Sequence, residues 1–175
     1  GVRVVRRGHG RAIAEALPLQ QQYALSVSFE DFPDVAETAA LRLADLAEAA
    51  AQYPLAETVL RRLVQLRPNS TPAIERLAAR LSESNRHEAF ELLTRHLANQ
   101  PASTRSTARL VSLAREAAGH GGQEIEVATR LFRMAAAQAE NPLDVRLELS
   151  GALRQTGQLA DLRVELAEIA RLQER

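Results

Sequence analysis

Four histidines are the side chains of this sequence best suited to hold a metal or move a proton near neutral pH. Their spacing argues against both. His87 and His96 stand nine residues apart, whereas two ligands on one helix face need to be one turn apart, so a packed or partly solvated ring is expected at each. His96 falls where a sister segment carries Leu, which predicts a local polar contact or an exposed ring. His9 and His120 lie in the glycine-bearing stretches RRGHGRA and AAGHGGQ. Backbone amides of such loops can cradle phosphate ahead of a helix. Neither stretch has a Lys-Ser/Thr pair or a preceding strand, so GHGG is expected to be a turn between helices. Ser26, Ser28, Ser70, Ser82, Ser84, Ser103, Ser106, Ser112 and Ser150 lack a neighbouring His/Asp arrangement and a Gly-x-Ser-x-Gly elbow. The carboxylate pairs Glu30/Asp31 and Glu124/Glu126 occupy ordinary positions for exposed turns and helix starts. The expectation is therefore no catalytic residue, no metal ligand, no cofactor and no enzymatic activity of the chain's own.

The elements that must position these residues follow from composition and period. The 175 residues can bury one sizeable core, roughly 70% of the unfolded surface. Apolar residues make up 46% but aromatics only 3%, so that core must be assembled from Ala, Leu, Val and Ile, which favours close-packed helices over a sandwich or barrel. All 22 basic residues are Arg, a usage that points to a GC-rich bacterial gene, and they balance 22 acidic residues. No segment carries the basic excess that phosphate-driven binding needs, so nucleic acid is not an expected partner. Without Cys there is no disulfide or thiolate site. No apolar run approaches the ~20 residues of a membrane span, and GVRVVRRGHG lacks the apolar centre of a signal peptide. A cytoplasmic location is expected, or a periplasmic one if a signal segment has been removed.

Self-similarity sets the architecture. Leu43-Ala44 with Ala47 recurs as Leu77-Ala78 with Leu81, Leu113-Ala114 with Ala117, and Leu149-Ser150 with Leu153, at spacings of 34, 36 and 36 residues. A second pattern trails each first: Ala56, Leu60, Leu63; Ala89, Leu93, His96; Ala128, Phe132, Ala135; Leu162, Leu166, Ile169. Steps of four and three residues put each trio on one helical face, and the lag of 12 to 15 residues leaves room only for two helices and a tight turn. Pro68, Pro101 and Pro142 punctuate the ends of second helices, and QYP, ESNRH, GHGG and QTGQ occupy the turns inside the hairpins. Small residues at Ala44, Ala47 and Ala56 let backbones approach, while Leu43, Leu60 and Leu63 fill the grooves.

These residues resemble the tetratricopeptide repeat family, helical hairpins of 34 residues stacked into a right-handed solenoid. The match is clearest over 37-70, where Leu43, Ala44, Ala47, Tyr53, Ala56, Leu60, Leu63 and Pro68 fall in signature slots, and continues over 71-106 and 143-175. The segment 107-142 departs most, with an expected longer turn and longer second helix, and the family's Trp is absent throughout. The expected fold is all-α, about four antiparallel hairpins over 37-175. Residues 1-36 are read as a tail and capping segment, a degenerate hairpin in which Leu25 and Pro33 echo Leu60 and Pro68. The alternation of Tyr23, Leu25, Val27 and Phe29 leaves a strand as the other reading.

The resemblance implies that first helices line a concave face. On this sequence that face carries Thr38, Leu41, Asp45 and Glu48, then Glu75 and Ala79, then Val111 and Arg115, then Leu147 and Arg154. The first two repeats then present carboxylates and the last two Arg, a polarity suited to an extended or helical peptide. One branch of the family clamps a C-terminal carboxylate with Lys, Asn and Arg; Leu41, Asp45, Glu75 and Ala79 stand in those slots, so that chemistry is not expected. The functional expectation is a non-enzymatic scaffold for a protein or peptide partner, with an adaptor or regulatory arm of a larger enzyme or secretion/polysaccharide assembly as the alternative. The stripe Leu162, Leu166, Ile169 and Leu172 adds an expectation of homo-oligomers through the last helix.

Overall fold

A computed structural model describes residues 33–174, and the readings made for residues 1–32 lie outside them. The described residues form eight helices and no strand: α1 (Pro33–Ala49), α2 (Tyr53–Leu66), α3 (Thr71–Ser84), α4 (Arg86–Asn99), α5 (Thr107–His120), α6 (Glu124–Gln138), α7 (Leu143–Gln155) and α8 (Leu159–Gln173). This is the all-α order of helix pairs that the repeat spacing predicts. Pro33 is the first residue of α1, where a missing amide hydrogen costs nothing. None of the described helices is long and apolar enough to cross a membrane.

The described residues divide into two compact units, 33–80 and 81–174, with the boundary inside α3. In the first unit the spacer alanines do what their size allows. Ala44, Ala47 and Ala56 are all 0% exposed. Leu43, Ala47 and Ala56 form one apolar cluster, and Ala40, Leu63 and Ala73 form a second that joins α1, α2 and α3. Ser70 ties the turn before α3 into this packing. Its hydroxyl accepts from the Ala73 amide at 3.3 Å, capping the helix, and donates to Glu37 Oε1 on α1 at 2.5 Å. Glu37 in turn faces Arg67 at 3.5 Å. Ser70 is buried, so Ser70→Ala is expected to lower unfolding free energy by about 1–2 kcal/mol, read by urea denaturation, through a lost cap and a lost hydrogen bond to Glu37.

The second unit is organised around α6, which buries Ile125, Val127, Ala128, Thr129, Leu131, Phe132, Ala135 and Ala136. Its core also takes Phe90 and Leu97 from α4, Leu110, Ala114 and Ala117 from α5, and Val145, Leu149, Ala152 and Leu153 from α7. Only Glu126, Arg130, Arg133 and Ala137 of α6 are exposed, in steps of four, three and four that draw a single narrow stripe along the helix. α8 is the opposite case. Ile169 is its one buried residue, while Leu159 and Leu166 are 60% and 49% exposed.

The turns inside the hairpins close by related hydrogen bonds. After α1, the Gln52 amide reaches back to the Ala47 carbonyl at 2.8 Å across Ala51, whose φ is +58°. After α7, the Gln158 amide reaches the Leu153 carbonyl at 3.0 Å across Gly157, at φ +69°. Both are left-handed helix terminations, and glycine suits that conformation whereas alanine is strained in it. Ala51→Gly is expected to raise stability by about 0.5–1 kcal/mol, a small upward shift in melting temperature. The GHGG turn does not lengthen its hairpin as expected. Residues 121–123 join α5 to α6, the same span as 50–52 and 156–158, because Gly119 and His120 remain helical. The exceptional turn is the shortest, a lone Asn85 whose side-chain oxygen accepts from the Glu88 amide at 3.2 Å.

Candidate functional site

In the first unit the expected site residues fall on α1 and α3. Thr38, Leu41, Asp45 and Glu48 follow one another by three, four and three residues, which keeps them on one side of α1, and Glu75 and Ala79 are one turn apart on α3. Thr38, Asp45, Glu75 and Ala79 are exposed, and Leu41 and Glu48 are half-buried. Asp45 and Glu48 gather around Arg76, a residue that the sequence pattern did not single out. Its guanidinium lies 2.5 Å from Asp45 Oδ1 and 3.2 Å from Glu48 Oε2, and donates to the Leu41 carbonyl at 3.2 Å. Arg76 therefore pins α3 to the exposed edge of α1 and offsets part of the acidic charge. At the far end of this unit the guanidinium carbon of Arg80 sits 4.4 Å from the centroid of the Tyr53 ring, a cation–π contact.

In the second unit the expected residues fall on α5 and α7. Arg115 of α5 and Glu148 of α7 pair through two hydrogen bonds, Nε to Oε2 at 2.8 Å and Nη2 to Oε1 at 2.6 Å. The hydrogen bonds to Glu148 and its charge, with a smaller contribution from Asp144, raise the Arg115 pKa further above its ordinary value. Arg115 is thus a permanent cation, but not a free one. Glu148 and Asp144 set two carboxylates against Arg115 on this surface. Glu148 escaped notice because it neighbours the expected Leu147 in sequence, and only the register of α5 against α7 brings it to Arg115. Leu147 stays 46% exposed beside this pair, and Val111 is half-buried against the core.

The three described histidines are absorbed by structure. His96 is buried, and its Nε2 lies 2.9 Å from the Gln100 side-chain amide, the local polar contact its position predicts. His120 packs its ring against Phe90, with centroids 5.9 Å apart. His87 faces Glu91 at 3.9 Å. Among the described residues no cluster of three or more His, Cys, Asp or Glu could hold a metal ion.

The polar chemistry of these surfaces comes from Arg–carboxylate pairs between helices, which include Arg146 of α7 with Glu165 of α8 at 2.6 Å. Such pairs fix register and orient side chains. They supply neither a nucleophile nor a proton donor poised near neutral pH.

No family model matches the sequence, and no curated protein matches it. Solved structures do. The MamA RS-1 ArsTM double mutant is similar at 16% identity over 96% of this chain and 92% of its own, with a TM-score of 0.47. MamA 41-end from Desulfovibrio magneticus RS-1 is similar at 18% identity over 97% of this chain and 89% of its own, with a TM-score of 0.45. A Podosopora anserina kinesin light chain with nearly identical TPR-like repeats is similar at 18% identity over 95% and 90%, with a TM-score of 0.45.

Proposed function

We propose that this chain is a helical-repeat scaffold that binds a protein or peptide partner on the exposed sides of its first-of-pair helices. The observation that carries the reading is the grouping of Asp45 and Glu48 about the one guanidinium of Arg76. Two carboxylates of α1 held by one guanidinium of α3 leave an acidic surface fixed in place by the scaffold, and such a surface favours a basic segment of a partner. The second unit offers a surface of its own, the exposed Leu147 of α7 with the Arg115–Glu148 pair. The fold contributes positioning alone, and the partner contributes the complementary charge.

The test is recovery of partners from lysate by the wild-type chain and by Asp45→Asn/Glu48→Gln, which removes the charge while keeping side-chain size and spares Arg76 two new cationic neighbours. The expected result is a partner that is lost with the double variant at unchanged melting temperature. Equal recovery by the double variant would overturn the acidic-surface reading.

A second reading concerns self-association, and the exposure of Leu159 and Leu166 on one stripe of α8 favours it. Leu159, Leu162, Leu166 and Ile169 succeed one another by three, four and three residues, and the stripe passes from exposed at Leu159 to buried at Ile169. A second copy laid along α8 would cover the two exposed leucines. Leu166→Glu is then expected to shift light-scattering mass toward monomer with melting nearly unchanged. An unaltered mass at all concentrations would discard this reading.

A further inference from the structure

Away from the surfaces just described, α4 and α6 border a cleft of about 460 Å³ lined by Glu91, Thr94, Arg95, Ala98, Arg130, Arg133 and Met134. We propose that this cleft docks an acidic peptide segment of a partner protein, one that carries an aliphatic or aromatic side chain beside its carboxylates. The cleft exists because the exposed stripe of α6 runs along it: Arg130 and Arg133 are two of the four positions of that helix left uncovered by the core. Its volume lies within the range of about 300–1,000 Å³ common to ligand sites, enough for one or two side chains of a peptide.

Charge decides the class of ligand. Three guanidiniums line the cleft against one carboxylate. Glu91 pairs with Arg130, and Arg133 reaches Asp161 on α8 and, at 3.3 Å, the side-chain oxygen of Gln158 just before that helix. Arg95 has no carboxylate partner among the described residues and is exposed. An incoming carboxylate can therefore take Arg95 in a two-pronged contact while its neighbour approaches the outward edge of Arg130 or Arg133. A cationic or neutral segment gains nothing comparable there.

The wall of the cleft carries a second, independent mark. Thr94 is 5% exposed, and its hydroxyl has no hydrogen-bond partner among the described residues. Thr129 shows the ordinary arrangement for a buried helical threonine, donating to the Ile125 carbonyl four residues back at 2.8 Å. That hydroxyl has less than 1 Å² of accessible surface, so it gains a partner only when neighbouring side chains of the cleft shift as a ligand seats. Ala98 and the Met134 thioether supply the apolar side of the same cleft, and methionine adapts readily to the shape of an aliphatic or aromatic neighbour.

The chain has no cysteine, so Ala98→Cys places the sole thiol at the cleft. The probes are short fluorescein-labelled peptides, each with one Leu or Phe flanked by Asp and Glu, and matched peptides with Asn and Gln in place of the acids. The expected result is anisotropy binding to the full chain that weakens at least about tenfold with Arg95→Glu and several-fold with Arg95→Gln, and that disappears for the Asn/Gln peptides. The acidic peptides are also expected to protect the Ala98→Cys variant from labelling by maleimide. Asp45→Asn/Glu48→Gln should leave this binding unchanged, which separates it from the partner surface on α1 and α3. Absence of binding by every acidic peptide, equal binding by Arg95→Glu, or equal protection of the introduced thiol by sodium phosphate or oligothymidylate would each overturn the proposal.

Discussion

Phe132→Ala is expected to remove about 3–5 kcal/mol of stability, the largest single loss available in the described residues. The ring is 2% exposed and belongs to the one core cluster that α4, α5, α6 and α7 share, so its truncation opens a void that no single helix can move to fill. The chain is poor in aromatics, with four Phe and two Tyr in all, and few other side chains bury so much surface at once. Urea denaturation followed by circular dichroism reads the loss directly. Glu126→Gln, on the exposed stripe of the same helix, serves as the reference and is expected to change stability by less than about 0.5 kcal/mol. If the two substitutions cost the same, α6 is not the centre of that core.

Ala47→Leu is expected to cost about 1–3 kcal/mol by the opposite route, overpacking. Ala47 touches the cluster of Leu43 and Ala56 where α1 meets α2, and it has no accessible surface into which added carbons could turn. Three extra carbons must either push α2 away from α1, loosening Leu60 and Leu63, or force an unfavourable rotamer. Ala49→Leu, an exposed position in the last turn of α1, adds the same carbons with no such barrier and should change little. A near-neutral Ala47→Leu would contradict the idea that small residues set the distance between these helices.

Much of the architecture was legible because it depends on period and residue size, both of which a sequence displays. The recurrence of Leu43-Ala44 through Leu149-Ser150 gave the helix pairs, and the alanines at 44, 47 and 56 gave the points of closest approach. His96 was legible as a polar contact because it interrupts an apolar trio. The turn lengths were less so: GHGG reads as a long loop, yet two of its residues extend α5, since Gly within the last turn of a helix costs only about 1 kcal/mol. What the sequence concealed depends on the register between helices distant along the chain. Arg76 with Asp45, Arg115 with Glu148, and Arg130 with Glu91 lie 31, 33 and 39 residues apart, and no local periodicity announces which of many exposed Arg residues will meet which carboxylate. The cleft between α4 and α6 was hidden for the same reason. Arg95, Arg130 and Arg133 each look like solvated surface until the two helices are laid side by side.

The contrast between α6, with eight buried residues, and α8, with one, has a kinetic consequence. Amide protons along α6 can meet solvent only when the whole second unit opens, so their deuterium uptake should report its global unfolding free energy. Those of α8 can exchange by fraying of that helix alone, at a much smaller free-energy cost. A partner that seats on α8 should therefore slow exchange there many-fold while leaving α6 untouched, and this footprint would locate contact with the last helix before any complex is crystallised.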